Sequence, residues 1–279
     1  MATHMIGCTL WSLGIGDTVQ ALEKAAELGM EAVHFTFCDD AEAAGAGLDR
    51  IRETLERTGL KVPGGMAGFV GEDYGTIASI RRTGGFTDAA LFPERLERCR
   101  RFAEGHVRLG IKHISTHVGF VPEPKDPRYS DVLERIARAA DVFRAAGLTV
   151  GLETGQEPGK VLAHVLKDLG RPYVSVNFDP ANFILYGSDD PVAAAKVLAK
   201  QVSMTHMKDG TPSANPGEVW GEDVPLGTGN VDFAGVLKAL RKGGFMGALI
   251  IEREAGTTRQ ADILGAKWYL KGLLAGLGA

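Results

Sequence analysis

A chain of 279 residues with 44% apolar residues, 24% charged residues and 37 glycines has the composition of a globular protein with one large core and many short turns. Its formal net charge of -4, from 35 acidic and 31 basic residues, argues against nucleic acid or an anionic membrane surface as its partner. Three widely spaced cysteines, no apolar run near the roughly 18 residues of a membrane span, and no signal-peptide pattern in MATHMIGCTL predict a cytoplasmic protein with reduced thiols.

Short apolar runs alternate with helical periodicity along the whole chain, which is typical of parallel strands linked by helices. The first strand is predicted over residues 6–11, and Asp17 is predicted to cap an amphipathic helix that ends at Gly29. The other predicted strands cover 32–37, 61–69, 112–118, 148–153, 173–179, 202–208 and 247–252. Eight strand and helix units predict an α/β fold, a single (β/α)8 TIM-barrel domain over residues 1–279.

A doubly wound open sheet is the competing architecture, because local patterns do not show whether a sheet closes. The segment SLGIGDTVQ has Gly14 and Gly16 but Val19 where the dinucleotide-binding fingerprint needs a third glycine. The barrel is therefore favoured. The stretches near 70–87 and 209–230 are predicted to be irregular loops over the barrel mouth.

Polar residues stand at the ends of four predicted strands. Glu153 ends the fifth, Asp179 the sixth and Glu252 the eighth, while His206 lies late in the seventh. The carboxyl ends of all barrel strands meet on one face, so these side chains are expected in one cavity. Each residue alone has an ordinary structural explanation, such as a turn-forming Asp before Pro, but four in register favour a site.

Three carboxylates and one imidazole that are crowded together need a cation, because buried like charges do not all stay ionised unaided. Oxygen-rich ligation with one His favours Mn2+, Mg2+ or Co2+ over structural zinc, and Mn2+ is the expected ion.

The segments GLETG, NFDPAN, THMKD, PLGTGNVDF and IIERE resemble those of the sugar phosphate isomerase/epimerase superfamily, the xylose isomerase-like TIM barrels that also include endonuclease IV. The resemblance covers nearly the whole chain. It implies that Glu153, Asp179, His206 and Glu252 bind one divalent metal and that Glu153 and Glu252 are the catalytic acid/base pair. One carboxylate would remove a proton from a keto-sugar or sugar phosphate and the other would return one, while the metal stabilises an enediolate.

The sequence departs from the ketose 3-epimerases of this superfamily at two substrate-contacting positions. Asn182 replaces a histidine three residues after the metal-binding aspartate, and Pro212 replaces an arginine six residues after the metal-binding histidine. The sugar is therefore not assigned. His117, Asn182 and Lys208 are the predicted substrate-binding residues; the alternatives are a histidine at the barrel rim, a turn-stabilising asparagine and a surface lysine paired with Asp209.

Three further features have two interpretations. Trp11 and Phe69 can form the apolar wall of a sugar pocket, although core packing is the favoured explanation. The segment PLGTGN can present backbone N–H groups to a phosphate or can be an ordinary glycine-rich turn.

The predicted function is a metal-dependent sugar isomerase or epimerase of carbohydrate metabolism. The main alternative is a metal-dependent lyase or dehydratase on a keto-sugar, keto-inositol or dehydroshikimate-like substrate, since both reactions begin with the same proton abstraction. A repair nuclease is disfavoured because a cluster of several metals needs more than the seven histidines present here, and a sugar-binding protein without catalysis needs no pair of carboxylates beside a metal. A homo-oligomer, dimer or tetramer, is possible.

Overall fold

The computed structural model describes residues 4–278, in which eight parallel strands close into a barrel. The strands of this part of the chain are β1 (Ile6–Thr9), β2 (Ala32–Phe35), β3 (Lys61–Ala67), β4 (His113–Thr116), β5 (Thr149–Glu153), β6 (Val174–Phe178), β7 (Val202–Met207), β8 (Asp209–Thr211), β9 (Glu222–Val224) and β10 (Leu249–Ile251). The barrel order is β1-β10-β7-β6-β5-β4-β3-β2, and β8 pairs with β9 in a separate antiparallel sheet. Pairing of Ile6 with Leu249 closes the barrel, so the predicted (β/α)8 fold is confirmed and the open sheet is excluded.

Helices connect the strands on the outside of the barrel. They are α1 (Thr18–Glu27), α2 (Gly45–Thr58), α3 (Ile77–Thr83), α4 (Phe92–Arg108), α5 (Tyr129–Ala145), α6 (Gly159–Leu169), α7 (Pro180–Tyr186), α8 (Pro191–Leu198), α9 (Phe233–Lys242) and α10 (Arg259–Gly276). Short 3-10 helices cover Trp11–Leu13 and Asp40–Ala43.

The first unit shows how local sequence sets these bounds. The Asp17 side chain accepts a hydrogen bond from the Gln20 amide at 2.8 Å, which satisfies one of the free N–H groups that begin α1. Gly29 follows the helix at φ +67°, a conformation that residues with a Cβ rarely adopt, and it turns the chain into β2. The predicted N-cap is therefore confirmed.

Two apolar layers hold the strands in place. The larger layer lies between the barrel and its helices, and each fully buried Leu, Ile or Phe in it contributes about 1.5–3 kcal/mol. A small separate cluster of Ala32, Met204, Ala248 and Ile250 joins β2 with residues of β7 and β10, which meet through the barrel interior. Packing on both faces fixes the strand ends, which carry the site.

The two long loops at the mouth are more ordered than the sequence predicts. The segment 70–87 contains α3, which Thr76 begins by capping the Ser79 amide. The segment 209–230 contains β8 and β9. Elements of three to seven residues are too short to show a period in the sequence, and this explains why the prediction of irregular loops was wrong here.

No helix within residues 4–278 is long and apolar enough to cross a membrane.

Candidate active site

Glu153, Asp179, His206 and Glu252 meet at one end of the barrel. Glu153 is the last residue of β5, Asp179 follows β6, His206 lies in β7 and Glu252 follows β10. One ligand atom from each of the four lies within 4.8 Å of the others, and all four residues are buried. The structure thus brings together the four residues that the sequence predicted to converge.

Asp179 uses its two carboxylate oxygens for different purposes. Its Oδ1 accepts hydrogen bonds from the amides of Ala181 and Asn182, at 2.8 and 3.1 Å, and thereby caps α7. Its Oδ2 has no hydrogen bond of good geometry but lies 3.1 Å from the Lys208 ammonium. Pro180 supplies the first residue of the helix, where its missing N–H costs nothing. The helix-cap explanation and the site explanation of this residue both hold.

Lys208 is the cation nearest to these carboxylates. Its Nζ lies 2.8 Å from Glu252 Oε2 and 3.1 Å from Glu254 Oε2, besides the contact with Asp179. Burial acts to lower the pKa of Lys208, but Asp179 and Glu252 outweigh it and hold that pKa well above its usual value. Burial raises the pKa of Asp179 to about 8, although Lys208 acts in the opposite direction. One lysine therefore does not offset the negative charge of the cluster.

His206 is oriented by residues that the sequence analysis did not single out. Its Nδ1 lies 3.0 Å from Glu153 Oε1 and 3.3 Å from Glu252 Oε2, while its Nε2 lies 2.7 Å from His34 Nδ1. Burial and the neighbouring His206 lower the pKa of His34 well below its usual value, which favours the neutral imidazole, and in the tautomer with hydrogen on His206 Nε2 the acceptor is His34 Nδ1. Asn177 also lies 3.2 Å from His206 Nε2.

This arrangement suits a metal ligand. When His206 is neutral and donates through Nε2, the lone pair of Nδ1 faces the three carboxylates, and a fixed donor partner on the far nitrogen is the usual support of a metal-binding histidine. Burial opposes a positive charge on His206, but Glu252 and Glu153 raise the pKa of His206 well above its usual value. The buried cluster therefore favours positive charge at its centre. Its hard oxygen donors and single imidazole fit a divalent ion such as Mn2+ or Mg2+.

A cavity of about 500 Å3 adjoins the cluster, and Glu153 and Glu252 belong to its lining. The lining combines apolar and aromatic side chains with carboxylates, a composition found in pockets for small molecules. The lining residues are Trp11, Thr36, Met66, Gly68, Tyr74, His117, Glu153, Asn182, Leu185, Tyr186, Lys208, Trp220, Gly221, Asp223, Glu252, Glu254 and Ala255.

The three predicted substrate-binding residues all line this cavity. His117 is hydrogen-bonded to the Gln156 side chain, and its Nδ1 has no hydrogen-bond partner. Asn182 donates from Nδ2 to the Thr154 carbonyl at 3.1 Å, so it also supports the loop after β5. Lys208 is buried and pairs with site carboxylates, which shows that the alternative of a surface lysine paired with Asp209 was wrong.

Trp11 and Phe69 have different positions. The Trp11 indole donates to Glu252 Oε1 at 2.8 Å and lines the cavity, so core packing was the wrong explanation for this residue. Phe69 is buried against Phe86, with a ring-centroid distance of 5.0 Å, and it belongs to the core.

Other cavity residues were missed by the sequence analysis. Tyr74 and Trp220 belong to the two mouth loops, and Tyr186 ends α7. Neither loop has a periodic pattern that would have placed its aromatic residues over the site. Asp223 and Glu254 are also cavity residues, and only the position of Glu254 two residues after Glu252 gave a signal of this.

Comparison with known proteins places this geometry in a family. Residues 22–271 match the model of the xylose isomerase-like TIM barrel family. A xylose isomerase domain protein from Planctomyces limnophilus has a similar structure, with a TM-score of 0.88 and 31% sequence identity over 92% of this chain and 93% of that one. An L-ribulose 3-epimerase structure matches 98% of this chain and 95% of its own, with a TM-score of 0.76 and 18% identity, which shows the shared fold.

A curated relative matches a shorter segment. The putative L-ribulose-5-phosphate 3-epimerase SgbU of Escherichia coli (strain K12) is 36% identical over 86 residues, which is 30% of this chain. The match spans 29% of the length of that relative.

Proposed function

The chain belongs to the xylose isomerase-like TIM barrel family, and from this premise we propose that it is a divalent-metal-dependent sugar isomerase or epimerase of carbohydrate metabolism. The observation that carries the proposal is the buried cluster of Glu153, Asp179, His206 and Glu252, of which Glu153 and Glu252 line the cavity. The similarity to a putative sugar phosphate epimerase supports the reaction class.

The four clustered residues are the proposed metal ligands. The cluster contains three carboxylates, and Lys208 supplies one positive charge beside them, so negative charge is left for a cation to neutralise. Mn2+ is the proposed ion, with Mg2+ or Co2+ as substitutes, because these ions accept oxygen-rich ligand sets. When bound, the cation supplies Lewis acidity that stabilises negative charge on substrate oxygens.

Glu153 and Glu252 are the proposed catalytic acid and base. They approach the cluster from β5 and from the end of β10, so they face a bound sugar from different sides. One takes the proton from the carbon next to the carbonyl, and the other returns a proton to the opposite face, which inverts that carbon. Removal of a proton from C1 of a 2-ketose, with return of a proton to C2, gives the aldose instead. Trp11 and Lys208 hold Glu252 by one hydrogen bond to each of its oxygens, which fixes the carboxylate during proton transfer.

His117, Asn182 and Lys208 are the proposed substrate contacts. Lys208 lies beside Glu252 and is suited to stabilise a developing oxyanion. The cavity positions of His117 and Asn182 suit hydrogen bonds to sugar hydroxyl groups. A cytoplasmic location and a dimeric or tetrameric assembly remain predictions, and fractionation and light scattering test them.

Proton NMR in D2O tests the reaction class. The Mn2+-loaded protein is incubated with a panel of ketoses and keto-sugars, and then it is freed of the paramagnetic ion before spectra are recorded. We expect solvent deuterium in the recovered sugar and in an epimer or aldose. An unsaturated product would assign the lyase or dehydratase reaction instead. No exchange with any sugar, by a protein shown to hold its metal, would contradict the proposal.

A further inference from the structure

The surroundings of the site indicate which class of sugar it accepts. We propose that the substrate is an uncharged sugar without a phosphate group, because this chain's own aspartates occupy the backbone amides that would bind a phosphate. This inference rests on the proposed function and names the substrate class of the same site.

The first observation concerns the loop after β7. In many TIM barrels, the loops after the seventh and eighth barrel strands bind the phosphate of the substrate with backbone N–H groups. Here Asp209 accepts hydrogen bonds from Gly227 and Gly229, both at 2.9 Å, and from Val231 at 3.1 Å. The PLGTGN segment does curl its amides around an anion, but the anion is a buried carboxylate of the same chain. The interpretation of this segment as a phosphate site is therefore not supported.

The second observation concerns the loop after β10, the eighth strand of the barrel. The amides of Glu254 and Ala255 both donate to Asp223 Oδ2, at 2.7 and 2.9 Å. Arg253 lies 2.8 Å from Asp223 Oδ1 and 2.9 Å from Asp262 Oδ2, so its guanidinium is already paired on two sides. Asp223 lines the cavity. Two amides and one arginine, an adequate anion site by themselves, are thus closed to an external anion.

The third observation is the charge of the cavity. Lys208 is the single cationic side chain among the lining residues in the described range 4–278, and three carboxylates already surround it. Glu153, Asp223, Glu252 and Glu254 give the lining four acidic groups. A divalent ion in the cluster would be held by the carboxylates of the cluster, and Arg253 is already paired with Asp223 and Asp262, so no unpaired cation is left for a phosphate. A phosphate dianion would be repelled.

The aromatic residues of the lining suit a neutral polyol. The ring centroids of Tyr186 and Trp220 lie 4.6 Å apart, and Trp220 donates from its indole to the Tyr74 carbonyl at 3.1 Å. These rings and Trp11 present apolar faces to the cavity, on which the C–H face of a sugar can pack. Carboxylates such as Glu254 accept hydrogen bonds from hydroxyl groups but not from a phosphate dianion.

Phosphate binding to variants at Asp223 tests the inference. Calorimetry with inorganic phosphate is run on the Mg2+-loaded wild-type protein and on Asp223→Ala, which frees the two amides and one side of Arg253. We expect no saturable phosphate binding to the wild type in the millimolar range. Asp223→Ala should bind phosphate saturably, with a dissociation constant at least tenfold below the highest concentration tested on the wild type. Asp262→Ala is the matched control, because it frees Arg253 but no amide, and it should gain little. Asp223→Asn is the substitute if Asp223→Ala proves unstable. It keeps an acceptor for the amides, so its phosphate affinity should lie between those of the wild type and Asp223→Ala.

A substrate pair gives the second readout. Deuterium exchange is compared for a free ketose and its terminal phosphate ester, and both are also tested for binding. We expect kcat/KM to favour the free ketose by at least tenfold. Saturable phosphate binding to the wild type, or a preference for the ester, would overturn the inference while leaving the proposed reaction intact. Absence of exchange with both sugars would count against the reaction, and the phosphate titration would still decide the inference.

Discussion

Glu252 is the residue on which most of the site geometry depends. It contacts Trp11, His206 and Lys208, and it follows the last strand of the barrel. Glu254, two residues further on, also contacts Lys208, but its side chain is 54% exposed and it lies outside the four-residue cluster. These two glutamates therefore form a matched pair for testing the assignment.

Glu252→Gln should lower kcat by at least a hundredfold and weaken Mn2+ binding, because the amide neither transfers a proton nor supplies an anionic ligand. Glu254→Gln removes the same charge from the cavity but no member of the four-residue cluster, so it should keep the Mn2+ affinity of the wild type and lose much less of kcat than Glu252→Gln. Steady-state kinetics and metal titration of both variants check this. Equal losses in the two variants would contradict the acid/base assignment.

Glu157 is a second buried carboxylate, outside the cluster. Neither of its carboxylate oxygens has a hydrogen-bond partner, and burial raises its pKa to about 8 from a usual 4.5. The folded protein then binds one more proton than the unfolded chain between about pH 5 and pH 8, so stability falls as the pH rises through that window.

Glu157→Gln should remove this dependence. We expect the variant to match the wild type near pH 4.5 and to exceed it by roughly 5 kcal/mol in free energy of unfolding above pH 8. Urea titrations at several pH values measure the difference, with Glu56→Gln on the exposed side of α2 as the control. A constant offset between variant and wild type over this range would mean that Glu157 is ionised in the folded protein.

At the scale of single residues, the sequence predicted the acidic and histidine residues of the cluster but not the residues that orient them. Glu153, Asp179, His206 and Glu252 stand at strand ends, and the parallel barrel brings strand ends together. His34 lies within an apolar strand with no local sign of its partner, since its contact with His206 spans 172 residues. Such a contact depends on the closed fold and is invisible to local patterns.

At the scale of elements, the mouth loops depend on single buried groups. Asp209 accepts hydrogen bonds from four amides, of which Gly227 and Gly229 share its Oδ2. The side chain is buried, so its loss leaves several N–H groups without partners. The order and approximate positions of the barrel strands and helices were predictable from apolar runs and periodicity, although strands such as Ile6–Thr9 and His113–Thr116 are shorter than predicted. The loop at Asp209 is held by one carboxylate that has no pattern around it.

Asp209→Asn should destabilise the protein by about 2–4 kcal/mol, because an amide keeps one acceptor oxygen and turns an NH2 group toward two amide donors. Hydrogen exchange should rise at residues 226–231 before global unfolding. Asp232→Asn, at the exposed cap of α9, is the control and should change stability by less than about 1 kcal/mol. Unchanged exchange in the loop of Asp209→Asn would show that other contacts hold it.

At the scale of the whole molecule, the proposed ion should stabilise the fold. The four clustered residues come from four different barrel strands or their ends, so an ion held by them binds the folded chain and not the unfolded one.

At a hundredfold excess over its dissociation constant, Mn2+ adds about 2.7 kcal/mol, which corresponds to a rise of roughly 5 °C or more in Tm. EDTA should reverse this rise in Tm, and scanning calorimetry measures the change. Asp179→Asn keeps an oxygen to cap α7 but loses the anionic ligand, so it should fold normally and show a much smaller rise. An equal rise in this variant would place the ion elsewhere.

The join between β1 and β10 sets the order of events during synthesis. Glu252 is held by Trp11, a residue 241 positions earlier, and the cavity closes only when β10 is inserted beside β1. A nascent chain on the ribosome has already produced Glu153, Asp179 and His206 before it can shape a cation site. Uptake of the proposed ion is therefore expected to be a late step, and an incomplete translation product that stops before β10 is expected to bind neither that ion nor a sugar.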